Sequence, residues 1–476
     1  MHKKTRYSLA AITTFAGLSL SAIAGPPLAT KPSAPAADSN PLSFADGLIT
    51  IDIQERLRFE SRENNFDFND SVNSLTDDSW LLQRARIGIK IKPNSWLTFY
   101  AQGQDSREIM SDRADFPGVL GAEGDDSFDL RQAYIEIADY AQCPWGFKLG
   151  RQILSFGDER IVGAFDWNNI GRTFDAAKLT YKSGPLTVDA FAASVVVPRR
   201  SGMNMSDLYN GNENSRDQIF SGIYASTTAW GPQTTDLYVL HLHEDQVTTS
   251  TNFLTLGARM KSKPGAFAPA AVSDGKGVVA TPKPVGLDYD FEGAFQTGEV
   301  RGLDLTAFAL HGGIGYTFDT GWMPRIGIAY NYGSGDGNPA DGDTETFQNL
   351  FPTNHKFYGQ MDVFSWQNMQ DLEISFKCSP TKKLTAKAEF HAFWLASTDD
   401  SWYRANGIAT VRPLTPIARG ASDSVGYEAD VTLTYTVSKN LSFEGGYSHF
   451  FAGDYLSDTG ASDDADFVYL QTSISF

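Results

Sequence analysis

The chain has 476 residues, 39 Lys and Arg against 57 Asp and Glu, and a formal net charge of −18. That balance excludes nucleic-acid binding, which needs a basic footprint. Cys143 and Cys378 are its two cysteines, too few for a disulfide framework.

At the N-terminus, His2, Lys3, Lys4 and Arg6 form a basic head and Leu9 to Leu20 supply an apolar stretch. Ala22-Ile23-Ala24 then has the small-x-small form of a signal-peptidase site, so residues 1–24 read as a cleaved signal peptide. The apolar stretch is too short to span a bilayer. No Cys follows the cleavage site to carry a lipid. The leader holds three of the basic residues and none of the acids, so its loss takes the net charge from −18 to −21. Residues 25–46, with Pro26, Pro27, Pro32, Pro35 and Pro41, read as a periplasmic tether.

From Leu48 onward apolar and polar residues alternate in stretches of about ten, which is the pattern of a transmembrane β-barrel over residues 47–476. Val425, Tyr427, Ala429, Val431, Leu433, Tyr435 and Val437 interleave with Gly426, Glu428, Asp430, Thr432 and Thr434. In a strand the two sets point to opposite faces, one suited to lipid and one to water. The alternation predicts strands near 48–61, 79–92, 95–105, 128–138, 146–153, 175–183, 186–197, 219–229 and 234–244. It continues near 252–261, 286–296, 303–314, 324–333, 370–378, 383–395, 424–438, 441–452 and 465–476. That is an all-β, antiparallel barrel of about eighteen strands, or sixteen if the weak stretches at 219–229 and 303–314 are miscounted. Eighteen strands imply a backbone diameter of roughly 35 Å, leaving a lumen that is open or filled by inward-folded loops.

Connections alternate in length. Pro93-Asn94, Ser183-Gly184-Pro185, Trp230-Gly231-Pro232 and Lys439-Asn440 are tight turns for the periplasmic side. Residues 62–78, 106–127, 154–174, 198–218, 334–369, 396–423 and 453–464 are long, polar and mostly acidic, as extracellular loops are. The stretch 262–285 breaks the rule by being long on the periplasmic side. Trp80, Trp96, Trp145, Trp230, Trp322 and Trp394 fall at predicted strand ends, where interfacial girdles form. The chain closes on Phe476 after Ile474, Thr472, Leu470 and Val468, an aromatic-ended alternating strand suited to the barrel-assembly machinery. Cys143 and Cys378 fall on strands nearly across such a ring, too far apart for the separation of about 7 Å that a disulfide allows.

The polar face of each strand gives a lumenal wall. Arg56, Arg58, Arg84 and Arg86 point inward near Gln54, Lys90, Tyr100 and Gln102, and Lys178, Arg259 and Arg325 join them from other strands. Fixed guanidinium groups in a poorly screened passage attract carboxylates, or else pair with inward acids to stiffen the wall. Those acids are Asp288, Asp290 and Glu292, then Asp371 and Glu373, then Glu428 and Asp430, read together as an opposite, acidic wall.

Several stretches resemble the alginate-export family of outer-membrane porins. They are Leu149-Gly150-Arg151-Gln152 with Phe156-Gly157-Asp158-Glu159-Arg160, then Asp166-Trp167 and Gly171-Arg172-Thr173-Phe174-Asp175. Tyr289 to Gln296 and the run Phe351-Pro352-Thr353-Asn354-His355-Lys356-Phe357-Tyr358-Gly359 follow. The resemblance implies a monomeric eighteen-stranded barrel with a pore fit for an anionic polysaccharide, and it marks Arg151, Gln152, Arg160 and Arg172. Parity alone aims Arg151 at lipid, so that a bulge re-aims it or it snorkels at the rim.

Catalytic and metal readings are weaker. His391 beside Glu389 is the nearest approach to a catalytic pair, without a nucleophile on a neighbouring face. His241 and His243 share one face and could bind a metal with a third ligand. Asp336, Asp341, Asp343 and Glu345 crowd one loop with oxygen ligands suited to Ca²⁺, but the EF-hand spacing is broken. The sequence therefore leads to an outer-membrane channel with the lipid bilayer and an anionic polysaccharide or oligosaccharide as partners, without catalytic residues and without cofactor. A general or small-solute porin and an outer-membrane hydrolase are the alternatives.

Overall fold

The computed structural model describes residues 42–71, 76–111, 124–199, 202–206, 217–245, 249–266, 284–407 and 409–476. The signal peptide expected over 1–24 and most of the tether lie outside them, as does most of 262–285. Eighteen antiparallel strands close into a barrel. They are β1 (Ile49–Glu63), β2 (Asp78–Ile91), β3 (Leu97–Ile109), β4 (Asp126–Ala138), β5 (Trp145–Gln152), β6 (Phe174–Ser183), β7 (Leu186–Val197), β8 (Asp217–Thr227) and β9 (Thr234–Asp245). The rest are β10 (Ser250–Lys261), β11 (Gly286–Val300), β12 (Leu303–Thr317), β13 (Arg325–Gly333), β14 (Met369–Cys378), β15 (Leu384–Trp394), β16 (Ser424–Ser438), β17 (Leu441–Ala452) and β18 (Ala465–Ser475). Each predicted strand has a counterpart, the weak pair β8 and β12 included.

Closure is made by β1 against β18, in register from Gln54↔Ser475 to Glu63↔Asp466, so no edge is left unpaired in the membrane. Alternation sets which face is which. Ile87 is 53% exposed on the lipid side, while its neighbour Arg86 is 6% exposed inside. Short turns join strands at the periplasmic end, such as the two-residue turn after Ser183, where Gly184 takes φ +56°. The end of the tether does not hang free: Ser43 and Phe44 pair with Thr50 and Ile49 of β1.

Two expectations about the surface are corrected. The stretch 334–369 does not form an outward loop beyond its first dozen residues. It turns inward and buries Phe347, Phe351, Tyr358, Met361, Val363, Phe364 and Trp366 inside the barrel. These meet Leu154, Phe156, Ile161 and Val162 of the loop 153–173, with Trp402 and Leu456, in one apolar cluster that fills much of the extracellular half. Each large side chain so buried stabilises by about 1.5–3 kcal/mol, and strands too far apart to touch gain a common filling. Trp80 is likewise not part of a girdle: it is buried on the inward face of β2 with Leu82 and Arg84. Trp96, Trp145, Trp230 and Trp322, all exposed at the short-turn end, do form one.

Candidate functional site: two charged walls of the lumen

Strands β1 and β2 place Arg56 directly opposite Arg84, and Arg86 opposite Gln54, on one inward face. Like charges so placed repel, and the loop 153–173 folds in to compensate. Arg56 donates to the carbonyls of Asp166 at 2.8 Å and Trp167 at 3.1 Å. Arg58 donates to the Trp167 carbonyl at 2.9 Å and to Glu60 at 2.6 Å, and its guanidinium lies 3.7 Å from the centre of the Trp167 ring. Arg84 donates to the Asp166 carbonyl at 3.0 Å and pairs with the Asp166 carboxylate at 3.2 Å, as Arg86 does at 2.8 Å. Arg58 is 2% and Arg84 1% exposed, so in this conformation both face loop oxygens rather than water.

A fifth guanidinium joins them. A bulge opposite Gln102 and Gly103 lets both Gln132 and Arg131 of β4 face inward, where Gln132 meets Gln102 and Arg131 donates to the Ile170 carbonyl at 2.7 Å and approaches Asp166 at 3.4 Å. Simple alternation puts Arg131 outside, so the sequence reading missed it. Four of these five arginines form ion pairs, which run to two carboxylates, Asp166 and Glu60, and Arg56 is held by carbonyls and Asn169. Around Asp166 the guanidinium groups therefore outnumber the carboxylates they pair with, although their donors are engaged. Burial pushes Asp166 up, but Arg84, Arg86 and Arg131 outweigh it and hold its carboxyl well below the usual carboxylate range.

The family-motif residues hold loops in place. Arg160 stacks on Phe357 at 4.0 Å, contacts His311 Nε2 at 2.9 Å and approaches Glu292 at 3.7 Å. Arg172 donates to the carbonyls of Gly163 and Pro352, tying the loops 153–173 and 334–368 together, and burial lowers it to about 10. Gln152 donates to the carbonyls of Gly150 and Ala176. Arg151 keeps the parity of Phe147 and Leu149 and closes a two-pronged ion pair with Asp175 at 2.9 and 3.2 Å.

The acids divide into two groups. On β11, roughly half-way round the ring from β1, the three acids Asp288, Asp290 and Glu292 each have a basic neighbour. Asp288 pairs with Arg325 at 2.6 Å, Asp290 with Lys261 at 3.0 Å, and Glu292 with Arg160. Arg259 pairs with Asp158 at 2.7 Å and Asp236 at 2.8 Å, and Lys178 with Asp189 at 3.6 Å. Arg259, Lys261, Lys263, Asp158 and Asp236 help to line a lumenal cavity of about 380 Å³. The second group lies on β14 to β16, which reaches β1 through only β17 and β18. The single opposite wall expected from sequence is thus two acidic surfaces, one neutralised and one not. On the second, Glu428 accepts from the Met361 N–H at 2.9 Å, and the basic side chains nearest these acids are His391 on Asp371 and Asp430, Lys387 on Glu389, and Arg325, which also faces Glu373.

Three of the loop acids considered for Ca²⁺ accept local backbone hydrogen bonds. Asp336 accepts from the Asn338 N–H, Asp341 from the Asp343 N–H and Glu345 from the Gly337 N–H, and Asp341 and Asp343 are exposed. His241 and His243 share the outward face of Leu237 and Val239, with His241 on Asn252 at 2.7 Å and His243 on Asp245 at 3.4 Å. Cys143 and Cys378 are free.

A closed eighteen-strand barrel with a charged lumen and lipid-facing apolar belt is an outer-membrane channel of the porin class, in the Gram-negative outer membrane. Its fold is similar to that of Pseudomonas aeruginosa OccK9 (OpdG), with TM-score 0.58 and 14% identity over 90% of this chain and 98% of that one. It is also similar to P. aeruginosa OccK1 (OpdK), at TM-score 0.57 and 13% identity over 90% and 98%, and to OccD3 (OpdP), at 0.57 and 10% over 91% and 92%. No curated protein matches in sequence. The family model described as alginate export matches residues 48–469, nearly the whole chain, and the protein belongs to that family.

Proposed function

We propose that the channel passes an anionic polysaccharide of alginate type, or its oligomers, by diffusion along the basic wall of β1, β2 and β4, and that it is not a catalyst. The observation that carries this reading is the five inward guanidinium groups, four of which form ion pairs that reach two carboxylates. Carbonyl oxygens of Asp166, Trp167 and Asn168 sit on them as neutral acceptors. A uronate carboxylate presents the same oxygen geometry with a full charge, so it competes for those donors wherever the loop lifts. Arg259 and Lys261 extend the basic path into the cavity beside β8 to β10. Lys178, Arg325 and the paired acids Asp288, Asp290 and Glu292 line the remainder.

Planar-bilayer recording tests the reading. The wild type is expected to prefer anions and to show current block by oligouronates. Replacing both Arg58 and Arg84 with Glu should reverse the preference and abolish the block. The effect should fade as salt rises, because the Debye length drops from about 10 Å at 0.1 M to about 3 Å at 1 M. A second reading, a small-solute porin, is favoured by the apolar packing that fills much of the extracellular half of the lumen. Cation preference with no oligouronate block would decide for it.

A further inference from the structure

The wall of β14, β15 and β16 has more carboxylates than it has donors. Glu373 lies directly across from His391, His391 from Glu428, and Glu389 from Asp430, all on the inward face. The ligand atoms of Glu373, Glu389 and His391 lie within 4.8 Å of one another. Asp430 is a separate observation. Its side chain is 1% exposed, neither carboxylate oxygen meets a well-aligned donor although Ser448 and Glu428 lie beside it, and Oδ2 stands 4.0 Å from His391 Nε2. An ionised carboxylate so buried costs several kcal/mol unless a proton, donor or cation meets it.

The imidazole is set up for the last of these. His391 Nδ1 lies 3.0 Å from Asp371, which also accepts from Asn331 Nδ2 at 2.8 Å. A carboxylate on Nδ1 holds the proton there and orients the ring, so Nε2 is the nitrogen that gives up its proton to an ion arriving between it and Asp430, the arrangement that orients metal-binding histidines. At metal–ligand distances of about 2.0–2.2 Å, donors on a tetrahedral ion stand about 3.3–3.6 Å apart, so side-chain movements of about an ångström close the set. Glu373 is partly exposed to the lumen, and Glu389, whose side chain is 10% exposed, is met at 2.5 Å by the more exposed Lys387 ammonium, which an ion entering from the lumen displaces.

We propose that Glu373, Glu389 and His391, with Asp430 alongside, bind one divalent first-row transition ion of the Zn²⁺ type on the lumenal wall. One imidazole among oxygen donors suits such an ion better than Ca²⁺ or Mg²⁺, which take oxygen alone. The ion staples three adjacent strands and cancels two of the negative charges on that wall. The acidic face then ceases to repel an anion travelling along the lumen.

The test uses the full chain, tag-free and folded in detergent, in a Cys143→Ser background to remove the exposed thiol, stripped with chelator and titrated with Zn²⁺. One ion per chain is expected. E389Q and H391Q should each weaken binding at least tenfold, and D371N about tenfold through the orienting bond, while H241Q with H243Q should leave it unchanged. Because H391Q could disturb folding, Cu²⁺ loaded into the wild-type side chains supplies a second readout. Its electron paramagnetic resonance spectrum should carry coupling to a single imidazole. No stoichiometric binding, equal binding by E389Q, or coupling to two imidazoles would each overturn the proposal.

Discussion

The two charged walls solve opposite problems with different means. On β1, β2 and β4 the excess charge is positive, and the loop 153–173 covers it with backbone carbonyls and one carboxylate, Asp166. On β14 to β16 the excess is negative. There a Met361 N–H reaches Glu428, while Asp430 has only the long 4.0 Å contact with His391 and no well-aligned donor. The asymmetry has a simple cause. A folded-in loop presents carbonyl oxygens freely, each with two lone pairs, but has only one N–H per residue and commits many of those to its own turns. Guanidinium groups are therefore easier to satisfy with loop backbone than carboxylates are. The carboxylates must find a proton or a cation instead.

The largest expected effect is on the basic side. Removing the Asp166 carboxylate by D166A takes the shared counter-charge from Arg84, Arg86 and Arg131 at once. The loop 153–173 should then detach, and single-channel conductance should rise several-fold. An unchanged conductance would mean that the carbonyl bonds alone seat the loop.

The next effect concerns the filling that both walls share. Trp402 is fully buried, stacks on Phe68 at 5.6 Å and contacts Phe364 at 5.2 Å. W402A should cost about 3–5 kcal/mol and lower the unfolding temperature of the detergent-folded barrel. L433A, on the lipid face of β16, should change that temperature far less, because lipid fills the space it leaves.

On the acidic side the sign should invert. With metal stripped, D430N replaces a buried carboxylate that lacks a well-aligned donor by a neutral amide and should raise the unfolding temperature, whereas D166N should lower it. Both shifts having the same sign would remove the contrast between the walls. Gly359 sharpens the same boundary. It takes φ +78°, and a Cβ there would overlap the Glu428 carboxylate. G359A should therefore cost about 1–3 kcal/mol and loosen the loop over β16, read as faster proteolysis of 334–368 in folded protein.

The smallest effect is a plateau. The Asp166 carboxyl is held below its ordinary range, so its contribution to loop docking is complete above the unfolded value of about 4. It is lost only as pH falls through the lowered folded-state value. Loop-dependent conductance should thus stay flat from pH 7 to about pH 4 and change under stronger acid. A transition between pH 5 and 6 would assign the docking to another group.

The sequence by itself determined the strands and their faces. A side-chain period of two is a local property, so Glu428 and Asp430 could be placed inside and Leu433 outside without knowing any partner. It also placed Arg56, Arg58, Arg84 and Arg86 on one wall, because their positions share the parity opposite to Leu57, Phe59 and Ile87. Only the tertiary structure decided what covers them. Arg56 meets Asp166 across 110 positions of chain, and no periodicity encodes a contact at that range. The same holds for Arg131, which a single bulge turns inward against the alternation around it, and for Trp80, whose strand-end position suits a girdle although its parity is lumenal. The inward turn of 334–369 had a legible trace in Phe347, Phe351, Phe357, Tyr358, Phe364 and Trp366, too many apolar rings for a solvated loop. Their destination still depended on the width of the barrel. Eighteen strands enclose more space than their own side chains fill, and the loops with the most apolar surface to bury are the ones that occupy it.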